Sequence, residues 1–272
     1  KWMVEKEYLL PRNQPKIERI KDLKKYTTES NPAYLPNDWK RFNDELYKFD
    51  QGYADEYETW KRRWFINYIR FMYQGGFRPH ESRKIRFGDC EIIKDKNDKT
   101  ACLIQISENT KTGRRECSIN TNTFLKLKSH LDKGIKLRNR QIEDINRRLS
   151  AGEIKIIDNY HRRIKEPLSL LVPRDKDDLV LMNPFLKDRK IYHGEHIRDW
   201  YKEIVGACKF ERKYTIYSLR STHISNRLLQ GIPVNKVAKN VGTSMEMIQK
   251  TYDGLSARFS IDELGTSVPE YF

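Results

Sequence analysis

The sequence predicts an α+β fold, mainly α-helical, with one small three-stranded antiparallel sheet. Three observations predict it. Aromatic residues from Tyr57 to Tyr73 repeat at three- and four-residue spacing, which marks a buried helix face. Three short β-rich runs lie between Cys90 and Ile119, separated by polar turns. After Tyr217 the chain breaks into short helical segments punctuated by Gly231, Pro233 and Gly242.

Residues 1–30 are polar and basic, with Pro11 and Pro15 interrupting them. Ile17, Ile20 and Leu23 have helical spacing, so a short helix in a linker or arm is expected there, with a solvated surface helix as the alternative. Leu35-Pro36-Asn37-Asp38 before Trp39 reads as a helix start capped by Asn37 or Asp38. Phe42, Leu46 and Phe49 then recur on one face. The helix of Tyr57 to Tyr73 carries Trp60, Trp64, Tyr68, Phe71 and Met72 as core, and Gly75-Gly76 ends it. Arg78 follows on a tight turn, where its guanidinium can project into a cleft from a fixed backbone. Glu81, three residues on, is placed to hold a neighbouring group.

Glu91-Ile92-Ile93, Ala101 to Ile106 and Glu116 to Ile119 are the three strands. The turn from Asn109 to Arg115 puts Lys111 at a hairpin tip, beside Arg114 and Arg115. Thr121 to about Leu171 reads as mostly helical, with a basic run from Lys136 to Arg148 that fits either a solvated face or a phosphate-contacting one. Pro167 and Pro173 bracket a break, and Leu179 to Met182 is a short apolar piece. A further helix runs to about Val205. His193 and His196 near its start, three residues apart, are a possible ligand pair, but no carboxylate or cysteine pattern marks a metal site there.

The last third carries the chemistry. Ser221 or Thr222 is expected to start a helix ending near Gly231, which puts Arg220 at its N-terminus, where backbone N–H groups favour phosphate. Pro233 opens the next helix, with Val234, Val237, Ala238 and Val241 inward, and Gly242 closes it. Thr243-Ser244-Met245-Glu246 fits a capping box with Thr243 as the cap. Met245, Ile248 and Tyr252 share a face of the final helix.

Lys and Arg number 53 against 38 Asp and Glu in 272 residues, a formal net charge of +15. With a pI near 9.5, the chain suits a polyanionic partner. Cys90, Cys102, Cys117 and Cys208 form no C-x-x-C pair, which argues against zinc and thioredoxin-type chemistry and fits a reducing compartment. Cys102 reads as core. No apolar run is long enough for a membrane span and no signal peptide is visible. The chain opens on Lys1 rather than Met, which leaves room for a preceding domain.

Four patches, in order, resemble the catalytic domain of the tyrosine recombinases, the phage-integrase family. Gly76-Phe77-Arg78-Pro79-His80-Glu81 resembles the first arginine box and Lys111-Thr112-Gly113 the hairpin that carries the catalytic lysine. Leu219-Arg220-Ser221-Thr222 resembles the second arginine box, and Val241-Gly242-Thr243-Ser244 through Tyr252 the nucleophile segment. The resemblance implies a catalytic domain over residues 31–256, followed by a tail, 257–272, that docks on a neighbouring subunit. It also implies DNA cleavage and rejoining through a 3′-phosphotyrosyl bond at Tyr252, without metal, ATP or other cofactor. Arg78 and Arg220 would hold the phosphate oxygens, and Lys111 would give a proton to the leaving 5′ oxygen. Arg114, Arg115 and Lys250 would contact DNA, and Glu81 would support the site. The implied partners are double-stranded DNA and further copies of the chain in a tetramer, with no membrane. The implied location is the cytoplasm, on the nucleoid.

Two positions depart from the family pattern. Tyr217 stands three before Arg220, where histidine is frequent, and its phenol is able to donate to a phosphate oxygen. Thr243 stands where histidine or tryptophan is usual. His223, one turn from Arg220, is a candidate to compensate or a packed helix histidine. The alternatives are a type IB topoisomerase-like nicking and resealing enzyme, and a DNA-binding module impaired in catalysis.

Overall fold

A computed structural model of the protein describes residues 31–106, 114–157, 163–164, 167–172, 175–186 and 190–249. The chain divides into a unit of Lys1–Asn31 and a second unit from Pro32 onward. The architecture below is that of the second unit. The arm helix expected at Ile17, Ile20 and Leu23, the hairpin tip with Lys111, and residues 250–272, with Lys250, Tyr252 and the tail, lie outside the described residues.

Helix α1 spans Pro36–Lys48. Its N-cap is Leu35, with Pro36 in the first turn, so neither Asn37 nor Asp38 caps it. Proline suits this position because its missing N–H would have no helical partner there. The Asp38 carboxylate instead accepts a hydrogen bond from the Tyr214 hydroxyl at 2.7 Å. Helix α2 spans Glu56–Gly75, is capped by Asp55 and ends at Gly76 in the left-handed conformation. It runs through the centre of the unit, against the helices Thr121–Ser150 and Ile216–Leu229 and the strand Arg115–Asn120. Trp64, Phe65, Phe71 and Met72 on it are fully buried. Each such side chain contributes about 1.5–3 kcal/mol by leaving water, so the aromatic stripe is the core helix that its spacing predicts.

Strands β1 (Cys90–Lys94), β2 (Thr100–Ile106) and β3 (Arg115–Asn120) form an antiparallel sheet in that order. Ile92 faces Cys102, and Ile104 faces Cys117. On β3 the buried residues alternate as Arg115, Cys117 and Ile119. Asn120 caps helix α4, which spans Thr121–Ser150.

The long helix therefore stops about twenty residues short of the expected Leu171. A two-stranded hairpin of β4 (Ile156–Ile157) and β5 (Arg163–Ile164) follows, and residues 167–172 have no regular structure. The stop is a turn at Gly152, φ +74°, where the Gly152 N–H donates to the Leu149 carbonyl at 3.1 Å and the Glu153 N–H to the Arg148 carbonyl at 3.0 Å. A pair of asparagines on α4 then holds the segment beyond. The Asn146 amide bonds both N–H and C=O of Leu168, at 2.7 and 2.8 Å. The Asn139 amide does the same to Leu171, at 2.8 and 3.0 Å. These side chains satisfy backbone groups that a helix would have paired internally.

Helix α5 spans Gly194–Cys208 with His193 as its cap. Helices α6 (Ile216–Leu229) and α7 (Val234–Val241) follow, and a final helix begins at residue 245. α6 starts a turn earlier than expected, because Thr215 and Ser218 bond reciprocally: the Thr215 N–H donates to Ser218 Oγ at 3.0 Å. Arg220 is therefore in the second turn and not at the N-terminus. The Tyr34 N–H donates to Thr222 Oγ1 at 2.9 Å, and the Tyr34 and Tyr201 hydroxyls meet at 2.6 Å. This network fixes α6 against the start of the unit.

The main apolar cluster runs from Tyr34 to Leu219, and a smaller one joins Ile224, Val237, Ala238, Val241 and Ile248. No described helix is long and apolar enough to cross a membrane.

Candidate functional site

The two clusters meet along a line of charged side chains. Phe77 and Leu219, which flank Arg78 and Arg220 in sequence, belong to the main cluster, and Val241, before Gly242, to the smaller one. Arg78 sits in extended conformation just before the short helix α3 (Pro79–Ser82). Its position depends on Gly76, whose φ is +57°. A Cβ there would lie 2.7 Å from the His223 ring and 3.0 Å from a Val241 methyl. Only glycine fits so close a crossing of α2's end with α6 and α7.

The carbonyl of Gly242 is the point of convergence. Arg78 Nη2 donates to it at 2.7 Å and Arg220 Nη2 at 3.5 Å. Arg220 Nη1 donates to the Gly76 carbonyl at 2.6 Å. Two arginines about 140 residues apart in sequence thus direct their guanidinium forks at one oxygen. A fork of this kind matches the oxygens of a phosphate. Among the described residues, Arg78 Nη1 and Nη2 each engage one partner, so part of its five-donor set remains for a ligand.

Glu81 holds the arrangement from beneath. Its carboxylate accepts from Arg78 Nη1 at 2.6 Å, from the Arg78 backbone N–H at 3.0 Å, and from Arg115 Nη1 and Nη2 at 3.2 and 2.8 Å. Its side chain is fully buried. Burial alone would raise its carboxyl. Hydrogen bonds from Arg115 and from the Arg78 backbone, with the charge of Arg115, outweigh that and pull its pKa from 4.5 down to about 2.

Arg115, expected from sequence as a DNA contact, is itself buried, with its guanidinium turned onto Glu81 and its Nε donating to the Asn240 carbonyl at 3.3 Å. Arg114 is exposed.

The other candidates are placed as follows. The Thr243 N–H donates to the Ala238 carbonyl at 3.1 Å, in the turn that closes α7. That engagement leaves the capping of the final helix to Ser244, whose Oγ accepts from the Met247 N–H at 3.2 Å. The cap thus stands one residue later than expected, with Met247 and not Glu246 at its third position. Tyr217 is exposed on α6. His223 is buried against Tyr73 and Gly76. Burial, and then the charges of Arg227 and Arg220, lower its pKa to about 3, so its ring is neutral at pH 7. Lys111, Lys250 and Tyr252 lie outside the described residues. Among the described residues, no group of three or more His, Cys, Asp or Glu is placed to hold a metal ion.

Reading residue types in order finds Arg78, Glu81 and Arg220 but misses the Gly242 carbonyl and the inward turn of Arg115. The signal for Arg115 is the two-residue period of its strand, which puts it on the face of Cys117 and Ile119.

Replacing Glu81 with alanine leaves Arg115 as an uncompensated buried charge. A loss of about 3–5 kcal/mol of stability is expected, read by urea unfolding at pH 7. Because the folded carboxyl titrates near 2 against 4.5 unperturbed, Glu81's contribution is complete above pH 4.5. It is lost as pH falls from there through about 2, so the difference between wild type and variant should shrink over that window.

The XerA recombinase shares this fold, with a TM-score of 0.51 and 15% identity over 89% of this chain and 65% of that one. The XerH site-specific recombinase, solved bound to its difH substrate, aligns at a TM-score of 0.48 and 14% identity over 87% of this chain; this chain spans 53% of it. The Tn1549 transposon integrase, solved with transposon right-end DNA, aligns at a TM-score of 0.44 and 13% identity, over 88% and 68%. The mainly helical fold with its small sheet is the fold of the XerA recombinase. No family model matches the chain, and no curated protein matches it in sequence.

Proposed function

We propose that this protein is a site-specific DNA recombinase that cleaves and rejoins strands through a tyrosine ester. The observation that carries the reading is the convergence of Arg78 and Arg220 on the Gly242 carbonyl. A carbonyl oxygen that attracts two guanidinium groups marks where a non-bridging phosphate oxygen would be held. Ten residues further along the chain stands Tyr252.

In the proposed reaction the Tyr252 phenolic oxygen attacks the phosphorus and gives up its proton. A bond forms from that oxygen to phosphorus, and the bond to the 5′ oxygen breaks. The leaving oxygen takes a proton from Lys111, and the 3′ phosphate stays on the tyrosine. Arg78 and Arg220 stabilise the charge that builds on the non-bridging oxygens. One phosphate diester replaces another, so the bond energy is kept and neither ATP nor a metal ion enters the scheme. A 5′ hydroxyl from a second duplex then attacks the ester and completes strand exchange. Exchange breaks every strand of both duplexes, which calls for one copy of the chain per strand, a homotetramer. The excess of basic residues supplies the sequence-independent hold on duplex DNA. Tyr217, with its exposed phenol, is the proposed third donor to the phosphate, and His223 serves as packing.

The test uses nicked suicide duplexes of randomised sequence, incubated with the chain in EDTA. A protein–DNA adduct that survives denaturation, with 3′ phosphate on Tyr252, is the expected result. Binding without any adduct would overturn the reading in favour of a binding module. Plasmid relaxation without transfer between two duplexes would favour the nicking and resealing enzyme.

A further inference from the structure

We propose that Arg115 is a positioning residue, which registers the Gly242 junction, and so the segment leading to Tyr252, onto the arginine pair. The inference rests on the strand-cleavage reading above and adds to it a residue that acts without touching DNA.

The geometry is a closed ring of hydrogen bonds through four segments. Arg115, at the start of β3, grips both oxygens of Glu81. Glu81 in turn takes Arg78 Nη1, and Arg78 Nη2 reaches the Gly242 carbonyl, which α6 also engages through Arg220. The ring closes when Arg115 Nε donates to the Asn240 carbonyl, two residues before Gly242. Arg115 also packs against Gly242 itself: a Cβ there would lie 2.7 to 2.8 Å from Nη1, Cδ and Cζ. Gly242 has φ +67°, which only glycine adopts without cost, so the close approach and the turn require the same residue. Beyond it the Gly242 and Thr243 N–H groups both donate to the Ala238 carbonyl, and Ser244 caps the final helix. The bearing of that helix is thus set by a junction that Arg115 clamps at Asn240 and Gly242.

The groups facing Glu81 are Arg78 from the turn after α2, and Arg115 and Cys117 from β3. Arg220 lies across the ring from α6. Cys117 is a neutral thiol, pushed up to about 12 by burial. Without Arg115, burial is opposed only by the Arg78 hydrogen bonds, so the Glu81 carboxyl rises and its hold on Arg78 weakens on the acid side.

The experiment compares the full chain with Arg115→Met. Exchange of the Gly242 and Thr243 amide hydrogens should quicken about tenfold or more, as expected when a clamp is removed and local opening becomes easier. The salt dependence of duplex binding should not change. Adduct formation should slow and gain an acid limb. Gly242→Ala keeps Arg115 but places a methyl on its guanidinium, and should quicken the same exchange if Arg115→Met does not fold. Unchanged exchange overturns the proposal. A salt slope shallower by about one would make Arg115 a phosphate contact and also overturns it. Slower adduct formation with the wild-type pH profile overturns it too, since a loss of fold alone moves no pKa. Should the wild type form no adduct, the strand-cleavage reading falls, and the exchange measurement alone decides the inference.

Discussion

Tyr252→Phe should abolish the covalent protein–DNA adduct while duplex affinity stays within about threefold, because affinity comes mainly from basic side chains on phosphates. The substitution removes one oxygen and keeps the ring. What the proposed reaction loses is its nucleophile. Suicide-duplex trapping, scored on denaturing gels beside a binding titration, reads both quantities. An adduct that persists and maps by peptide sequencing to another residue, Tyr217 being the obvious one, would remove Tyr252 from the scheme.

Arg220→Ala is expected to lower the rate of adduct formation by about 10²–10³, the usual loss when one donor to a developing oxyanion is removed. The change also strips the Gly76 carbonyl of a donor, while the Gly242 carbonyl keeps Arg78. Each buried group left unpaired costs about 1–3 kcal/mol, so stability should fall as well. Arg220→Lys separates the two effects. It keeps a positive charge but not the fork, and should recover stability better than rate. Single-turnover trapping and urea unfolding of the three proteins check this. A lysine variant as fast as wild type would mean that charge alone, and not two-point holding, is what the position supplies.

The elements defined by local pattern were legible in the sequence. The α2 stripe, the three strands and the Gly76 and Gly242 helix ends follow from periodicity and backbone freedom, which act over a few residues. What escaped was decided by partners far away in sequence or by one-residue choices. Gly152, at φ +74°, ends α4 by a one-residue choice, and beyond it Asn139 and Asn146 hold Leu171 and Leu168, contacts that no local window contains. Thr215 and Ser218 start α6 early through a reciprocal pair that lacks the usual acidic third residue. Thr243 looks like a cap until Ala238 claims its N–H, which shifts the cap to Ser244.

The site shows the same division. Arg78, Glu81 and Arg220 can be named from residue type and spacing. Their common focus on Gly242 is a main-chain carbonyl, and main-chain atoms are the same at every position, so no sequence pattern announces it. Arg115 was visible as a basic residue near a hairpin tip, where cations usually face water. Its strand alternation pointed inward, and Glu81 accounts for how a buried guanidinium is tolerated there.

The central claim is that separate segments gather around one phosphorus atom. The most direct measurement is a structure of the protein on an uncleaved duplex. The account predicts Arg78 and Arg220 within hydrogen-bond distance of non-bridging oxygens of the same phosphate, with Lys111 at the 5′ oxygen and the Tyr252 oxygen in line behind the phosphorus. Arginines that reach no phosphate, or different phosphates while Tyr252 points elsewhere, would contradict it.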